Sequence, residues 1–456
     1  MIALWSSLHA AFISQFFMEL NMHGIRYFVL RNYEGLPETN SGKDVDVVIA
    51  PGTYHKVTGI LKGIMQNFNI YYFQISKFET MRCWYIMDDA QHFAIHIDII
   101  ENEVYKGFQY FDFEYLYANV IPYKDFYVLN KTMDTVLLLA QNIIAYKRLK
   151  DKYRRTITQN YLQSNENIDN EIRKLFELST GNKVVEALRK NDYACIENKA
   201  KDLQQAFIRR TYKTHPLQTL CGNVRFLADR FYRVIWCPNK LRRFIAVEAP
   251  DGTGKTTFIN ALIERLQKYY VCDEGRFCVH HFRPNILPNL GELGEKAKLM
   301  KQDTNFTVPH RKKPAGFMSS FIRMLYYWLD YLLGVPILLR KEVHYERYSI
   351  YDRYIYDFLI DPARSCISLP RWLRMLFVKT VVQPQIVFVL QASADVIYSR
   401  KQELDREEIE RQLTEFGRLK NMASVVFINA ERPIDEMVDE AVKCIMERFC
   451  FKIDKQ

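Results

Sequence analysis

Between Phe244 and Thr257 the chain reads FIAVEAPDGTGKTT. A short apolar run, Phe244 to Val247, enters a glycine-rich turn that ends in Gly254-Lys255-Thr256. A helix is expected from Phe258 onward. Glycines let backbone N–H groups converge on an anion, and a helix N-terminus adds the positive end of its dipole. In that arrangement Lys255 reaches the β/γ-phosphates and the Thr256 hydroxyl sits on Mg²⁺. Asp251, Gly252, Thr253, Gly254 and Thr257 complete the cradle. The pattern implies binding of a nucleoside triphosphate. Ala249 stands where the common form of this loop begins with Gly.

Three further groups carry chemistry in the same half. Asp352-Arg353-Tyr354 follows an apolar strand, Tyr348 to Tyr351. Asp352 is placed to hold Mg²⁺ through water or to orient an acceptor, and Arg353 to grip a phosphate with its planar fork. Asp357 and Asp361 follow at helical spacing, where they line the same cleft or serve as caps. Ser399 to Leu404 carries Arg400 and Lys401, basic residues suited to a lid over a transferring phosphoryl group. His281-Phe282-Arg283-Pro284 ends another strand, with Arg283 aimed at an acceptor phosphate.

A separate acidic set lies near the N-terminus. Asp44 and Asp46 fall two apart on a β-like segment and point to one side. Asp98 lies in a second such segment, HIDII. Three carboxylates on neighbouring strands could hold two Mg²⁺ ions for nucleotidyl transfer.

The elements that must position these residues differ along the chain. From Phe244 the order is strand, loop, helix, then strands at Cys278 to Phe282, Tyr348 to Tyr351, Ile386 to Leu390 and Val425 to Ile428, with helices between. That alternation predicts a five-stranded parallel sheet with right-handed crossovers and ligands at its carboxyl ends. Residues 1 to about 125 mix helix and strand, with β-rich runs at Ile25 to Leu30, Val45 to Ile49 and Phe93 to Ile100. From Asn130 to Arg242 the pattern is helical and polar, including Thr132 to Tyr146 and basic clusters at Lys147 to Arg155 and Arg225 to Arg243. These clusters read as solvated helix faces and a linker. The expected domains are 1–130, a helical connector at 131–242, and 243–456.

Composition agrees with a multidomain α/β protein. The chain has 456 residues, 48% hydrophobic and 14% aromatic, which excludes a disordered chain. Its formal net charge is +10, which suits a phosphate-bearing partner. Nine cysteines without metal-type spacing read as reduced thiols in the cytoplasm. Met1 to Leu20 predicts a packed amphipathic helix rather than a leader. Phe317 to Leu339 is interrupted by Arg323, Asp330, Gly334 and Pro336, so a buried helix is expected there and no transmembrane segment.

Together, VEAPDGTGKTT, Asp352-Arg353-Tyr354, Arg400-Lys401 and Phe427-Ile428-Asn429-Ala430 resemble thymidylate kinase and related P-loop nucleoside monophosphate kinases over residues 243 to 450. The resemblance implies phosphoryl transfer from ATP with Mg²⁺, and it gathers Lys255, Asp352, Arg353 and Arg400 around the phosphates. HFRPNILPNLGELG replaces the family's usual segment after the second strand, and Lys296 to Leu339 is expanded, so the acceptor stays open. LRNYEGLPE, Asp44-Val45-Asp46 and Asp98 resemble a branch of the nucleotidyltransferase superfamily over residues 20 to 130. The usual Gly-Ser turn is replaced by Leu30-Arg31-Asn32-Tyr33, with Arg31 as a candidate phosphate grip. The leading expectation is a kinase acting on a nucleoside monophosphate or a related phosphorylated or sugar acceptor. The alternatives are a bifunctional nucleotidyltransferase-kinase in glycan or nucleotide-sugar metabolism, and a non-catalytic nucleotide-gated switch. Expected partners are a nucleotide and a small-molecule acceptor, without nucleic acid; a homodimer is left open.

Overall fold

The computed structural model describes residues 5–40, 42, 44–78, 80–102, 104–235, 243–270, 274–288, 316–344, 347–402, 404–422 and 424–453. Residues 289–294 of the unusual segment after Arg283, residues 296–315 of the expanded region, and 236–242 of the second basic cluster lie outside the described residues. The chain forms two compact units. The first is Met1–Ile235 with Tyr269–Val271 and Phe451–Gln456; the second is Trp236–Lys268 with Cys272–Cys450. The helices at 131–235, read from the sequence as a connector, fall in the first unit.

The first unit holds strands β1 (Tyr27–Val29), β2 (Val45–Ile49), β3 (Tyr71–Phe78), β4 (Met81–Asp88), β5 (Phe93–Ile100), β6 (Val104–Tyr105), β7 (Phe108–Gln109), β8 (Val120–Tyr123) and β9 (Phe126–Leu129). Its helices are α1 (Ser7–Met22), α2 (Tyr54–Phe68), α3 (Phe113–Tyr117), α4 (Lys131–Gln141), α5 (Asp151–Leu175), α6 (Leu178–Arg189), α7 (Tyr193–Asn198), α8 (Ala200–Thr214) and α9 (Pro216–Ile235). The main sheet is mixed, with eight strands in the order β15-β3-β4-β5-β2-β1-β9-β8, closed at one edge by the C-terminal strand β15 (Phe451–Lys452).

Every position of β2 and β5 is buried, because both sheet faces are covered. Val45, Val47, Ile49, Ile95, Ile97 and Ile99 face α1 and α2, where Phe12, Phe16 and Leu20 fill the layer. Val48, Ala50 and Ile100 face the opposite way, towards the core built by α4 to α8. The period-2 geometry of a strand therefore sends Asp46, His96 and Asp98 to that second side. The expected helix over Thr132 to Tyr146 is α4 followed by a π-turn, Asn142–Tyr146, which ends at Lys147 in the left-handed region.

The second unit holds β10 (Arg243–Glu248), β11 (Phe277–His281), β12 (Tyr348–Asp352), β13 (Ile386–Gln391) and β14 (Val425–Asn429). They form a five-stranded sheet in the order β11-β12-β10-β13-β14, and every pairing is parallel. The helices are α10 (Lys255–Tyr270), α11 (Phe317–His344), α12 (Asp357–Ile360), α13 (Arg371–Lys379), α14 (Ala394–Arg400), α15 (Arg406–Gly417) and α16 (Ile434–Phe449). The order reversal between β12 and β10 on one side and β13 on the other puts the loop after β10 at the middle of the sheet's carboxyl edge.

One expectation needs correction. The Phe317 to Leu339 segment is a helix, but only one of its faces is buried. Met324, Asp330, Tyr331 and Val335 pack inward, while Ile322, Leu333 and Ile337 are more than half exposed. A helix lying on one side of a sheet has only one face to bury. Its stretch Phe317–Glu342 is 26 residues, long and apolar enough by length and composition to cross a membrane.

Candidate active site

The loop between β10 and α10 takes its shape from two glycines. Gly252 and Gly254 have φ of 87° and 94°, a region open to glycine and strained for other residues. A Cβ on Gly252 would stand 2.9 Å from the Lys401 Cβ, so the segment after α14 packs directly on the loop. The Thr253 hydroxyl donates to the Pro250 carbonyl at 2.9 Å and ties the turn down. α10 starts at Lys255, with Thr256 and Thr257 exposed in its first turn. Free backbone N–H groups are thus collected at one helix N-terminus.

Lys255 is buried, and its Nζ lies 3.2 Å from the Asp352 Oδ1 at the end of β12. Burial pulls the Lys255 ammonium below its ordinary value and Arg353 adds to that, while Asp352 and Asp251 oppose it. Arg353 has φ of 70°, and its N–H donates to the Val247 carbonyl at 3.0 Å. That bond stitches the end of β12 to β10 and turns the guanidinium inward. There it pairs with Asp251 and, at 3.1 Å, with Asp357. Arg364 reaches the other oxygen of Asp251 and lies 3.4 Å from Asp361. Burial raises the Asp251 carboxyl, but Arg353, Arg364 and Lys255 override it and bring it down to about 2.

Beneath this layer Glu248 is fully buried. Its Oε1 accepts the Tyr354 N–H at 2.7 Å. Burial, with Asp357 nearby, raises the Glu248 carboxyl well above its ordinary value.

The structure therefore gathers Asp251, Gly252, Thr253, Gly254, Lys255, Thr256, Thr257, Asp352, Arg353 and Asp357 around one loop. Arg400 joins them from α14: its guanidinium lies 3.5 Å from the Thr253 carbonyl and 3.3 Å from that of Ala430. Arg283 is buried elsewhere, 3.6 Å from Asp330 and over the Tyr327 ring. Asp330 also accepts the backbone N–H groups of Asn285, Ile286 and Leu287. It thereby shapes the chain just after Arg283. The helix that follows the segment read as a lid, α15, buries Ile409 and Phe416, and its Arg406 and Arg411 pair with Asp395 and Glu408. Sequence reasoning missed Glu248 and Arg364. The first carried a signal, an acid at the end of an apolar strand; the second sits in a short turn with none.

The first unit brings Asp44, Asp46 and Asp98 together, with carboxylate oxygens all within 4.8 Å of one another. Asp46 and Asp98 are cross-strand partners on β2 and β5. Arg31, the candidate phosphate grip, instead donates from Nε to the Asp46 Oδ2 at 2.8 Å and from Nη1 to Gln141. Burial raises the Asp46 carboxyl; Arg31 counters this, and Asp44 and Asp98 add to it. Carboxylate oxygens converging in this way suit a hard divalent cation.

No protein-family model matches the chain, and no curated protein matches it. Among solved structures it is similar to the thymidylate kinase from Ehrlichia chaffeensis, at 17% identity. The alignment covers 44% of this chain and 97% of that one, with a TM-score of 0.29.

Proposed function

We propose that the second unit is an ATP- and Mg²⁺-dependent phosphotransferase whose acceptor is a nucleoside monophosphate or another small phosphorylated compound. The observation that carries this reading is the pairing of Lys255 with Asp352 at 3.2 Å beside a glycine-shaped helix N-terminus. The residues fit a magnesium nucleotide: Asp352 offers oxygen donors, the Thr256 hydroxyl is exposed, and Lys255 is a buried cation next to both.

When bound, Mg²⁺ supplies charge neutralisation on the donor phosphates. The chain does the rest by positioning. The loop N–H groups and Lys255 hold the β- and γ-phosphates. Arg353 and Arg364, held in place by Asp251, Asp357 and Asp361, face the acceptor and take up charge as it develops. Arg400 braces the loop by linking the Thr253 carbonyl to that of Ala430 after β14. A cytoplasmic setting and the absence of a nucleic-acid partner belong to the same reading.

The test is an acceptor screen with ATP and Mg²⁺, reading ADP release. Turnover that rises with one class of phosphorylated acceptor is expected. Slow hydrolysis unmoved by every acceptor would favour the nucleotide-gated switch instead.

A second reading applies to the first unit and rests on the convergence of Asp44, Asp46 and Asp98. We infer metal-assisted nucleotidyl transfer there, with Asp46 and Asp98 as the central ligands. Pyrophosphate release from a nucleoside triphosphate, lost in Asp44→Asn with Asp46→Asn, is the expected result. Release that survives both changes removes this reading.

A further inference from the structure

The sheet of the first unit carries more than carboxylates on its second side. β4 and β5 are antiparallel, and their register sets Cys83 opposite Asp98 and Tyr85 opposite His96. β5 and β2 are parallel, with Asp98 beside Asp46. One row across three strands therefore reads Cys83, Asp98, Asp46, and His96 stands two residues along β5 on the same face. Cys83, His96 and Asp98 are all buried, and one ligand atom from each lies within 4.8 Å of the others.

The second observation concerns His96. Its side chain is 7% exposed, and Nε2 stands 2.8 Å from the Asp98 Oδ1. Yet Nε2 makes no hydrogen bond. The two atoms converge without the alignment that an N–H donor needs. At that separation the two atoms form a close ion pair; a cation between them would hold them farther apart and take the ring nitrogen's lone pair, which no aligned hydrogen bond uses. The ring is held in that orientation by stacking on Tyr85, at 4.2 Å between centroids and 16° between planes. Ligand atoms around a tetrahedral zinc ion are roughly 3.4–3.6 Å apart, given ordinary Zn–S, Zn–N and Zn–O lengths. Small side-chain rotations would bring the trio to that spacing.

We propose that Cys83, His96 and Asp98 form a binding site for a borderline-soft divalent cation, zinc by ligand chemistry, adjacent to but distinct from the Asp44/Asp46 carboxylates. Thiolate and imidazole favour zinc over magnesium, whereas the neighbouring carboxylates favour the harder ion. Binding releases the Cys83 thiol proton to solvent. Asp98 lies between the two sets and would link them. The site does not depend on the phosphotransferase reading.

The test uses the full chain, stripped with a chelator and titrated with Co²⁺ as a coloured substitute for Zn²⁺. One equivalent of Co²⁺ should produce a sulfur-to-cobalt charge-transfer band that Zn²⁺ abolishes. The band should vanish in Cys83→Ser. His96→Asn should weaken Co²⁺ binding at least tenfold with unchanged circular dichroism, and it serves as the test variant if Cys83→Ser fails to fold. Asp44→Asn should keep the band, which separates this site from the nucleotidyl-transfer reading. A wild-type protein without the band, a band that persists in Cys83→Ser, or its loss in Asp44→Asn would each overturn the proposal.

Discussion

The two units treat the same side chain in opposite ways. In the second unit Asp251 sits among Arg353, Arg364 and Lys255, and its carboxyl falls to about 2. In the first unit Asp46 meets Arg31 on one side and the carboxylates of Asp44 and Asp98 on the other, and its carboxyl rises. Burial pushes both upward; the neighbours decide the outcome. The difference sets the kind of ligand each site suits. The loop of the second unit gathers cations at a helix N-terminus, a setting suited to an anion such as phosphate. The sheet of the first unit gathers carboxylates beside a thiol and an imidazole, a donor set whose chemistry suits a metal cation.

This contrast can be broken from either side. The largest effect on stability is expected at Arg353, which is buried and holds both Asp251 and Asp357. Arg353→Ala should cost about 3–5 kcal/mol in denaturant unfolding of the second unit, because it strands the buried Asp357 and leaves Asp251 with Arg364 alone of its two guanidinium partners. A loss below about 1 kcal/mol would mean that the pairing is not what holds the loop.

Asp251→Asn comes next. The folded carboxyl, at about 2, lies below its unfolded value of about 3.9, so the charged form stabilises the fold. That stability is complete above about pH 4 and is lost as pH falls through about 2. Asp251→Asn should therefore be about 2 kcal/mol less stable than the parent at pH 7, with the gap closing below pH 4. A gap independent of pH would contradict the charge account.

Asp46→Asn should have the smallest effect and the opposite tendency. Its carboxyl is raised, so its ionisation opposes folding as pH rises. In metal-free protein at pH 7 the variant should lie within about 1 kcal/mol of the parent. The parent alone should gain thermal stability from added Mg²⁺ or Mn²⁺. Equal gains in parent and variant would remove Asp46 from the metal site.

The second unit was more legible than the first, for a physical reason. Its central strands β10, β12 and β13 are buried along nearly their whole length and read as short apolar runs, so the sequence places β10 and β13 to within a residue or two. The loop after β10 depends on local glycine geometry, which is written in consecutive residues. The first unit depends on register. β3 and β4, Tyr71–Phe78 and Met81–Asp88, have too few alternating polar positions to stand out. Without them Cys83 has no visible relation to Asp98, fifteen residues away. His96 and Asp98 share a face by simple alternation, yet only β4 supplies the third ligand. Arg364 was hidden in the same manner, because its link to Asp251 is made by tertiary packing alone.

The central claim is that the Lys255 loop transfers a phosphoryl group rather than merely binding nucleotide. It is tested most directly by measuring ADP formation from ATP and Mg²⁺, with and without nucleoside monophosphate acceptors, in the parent and in Lys255→Ala. The account predicts ADP formation that requires acceptor and falls by about 10³-fold in Lys255→Ala, on the scale of losing a principal charge-stabilising group. Acceptor-dependent transfer that survives Lys255→Ala, or ADP formation indifferent to every acceptor, would contradict it.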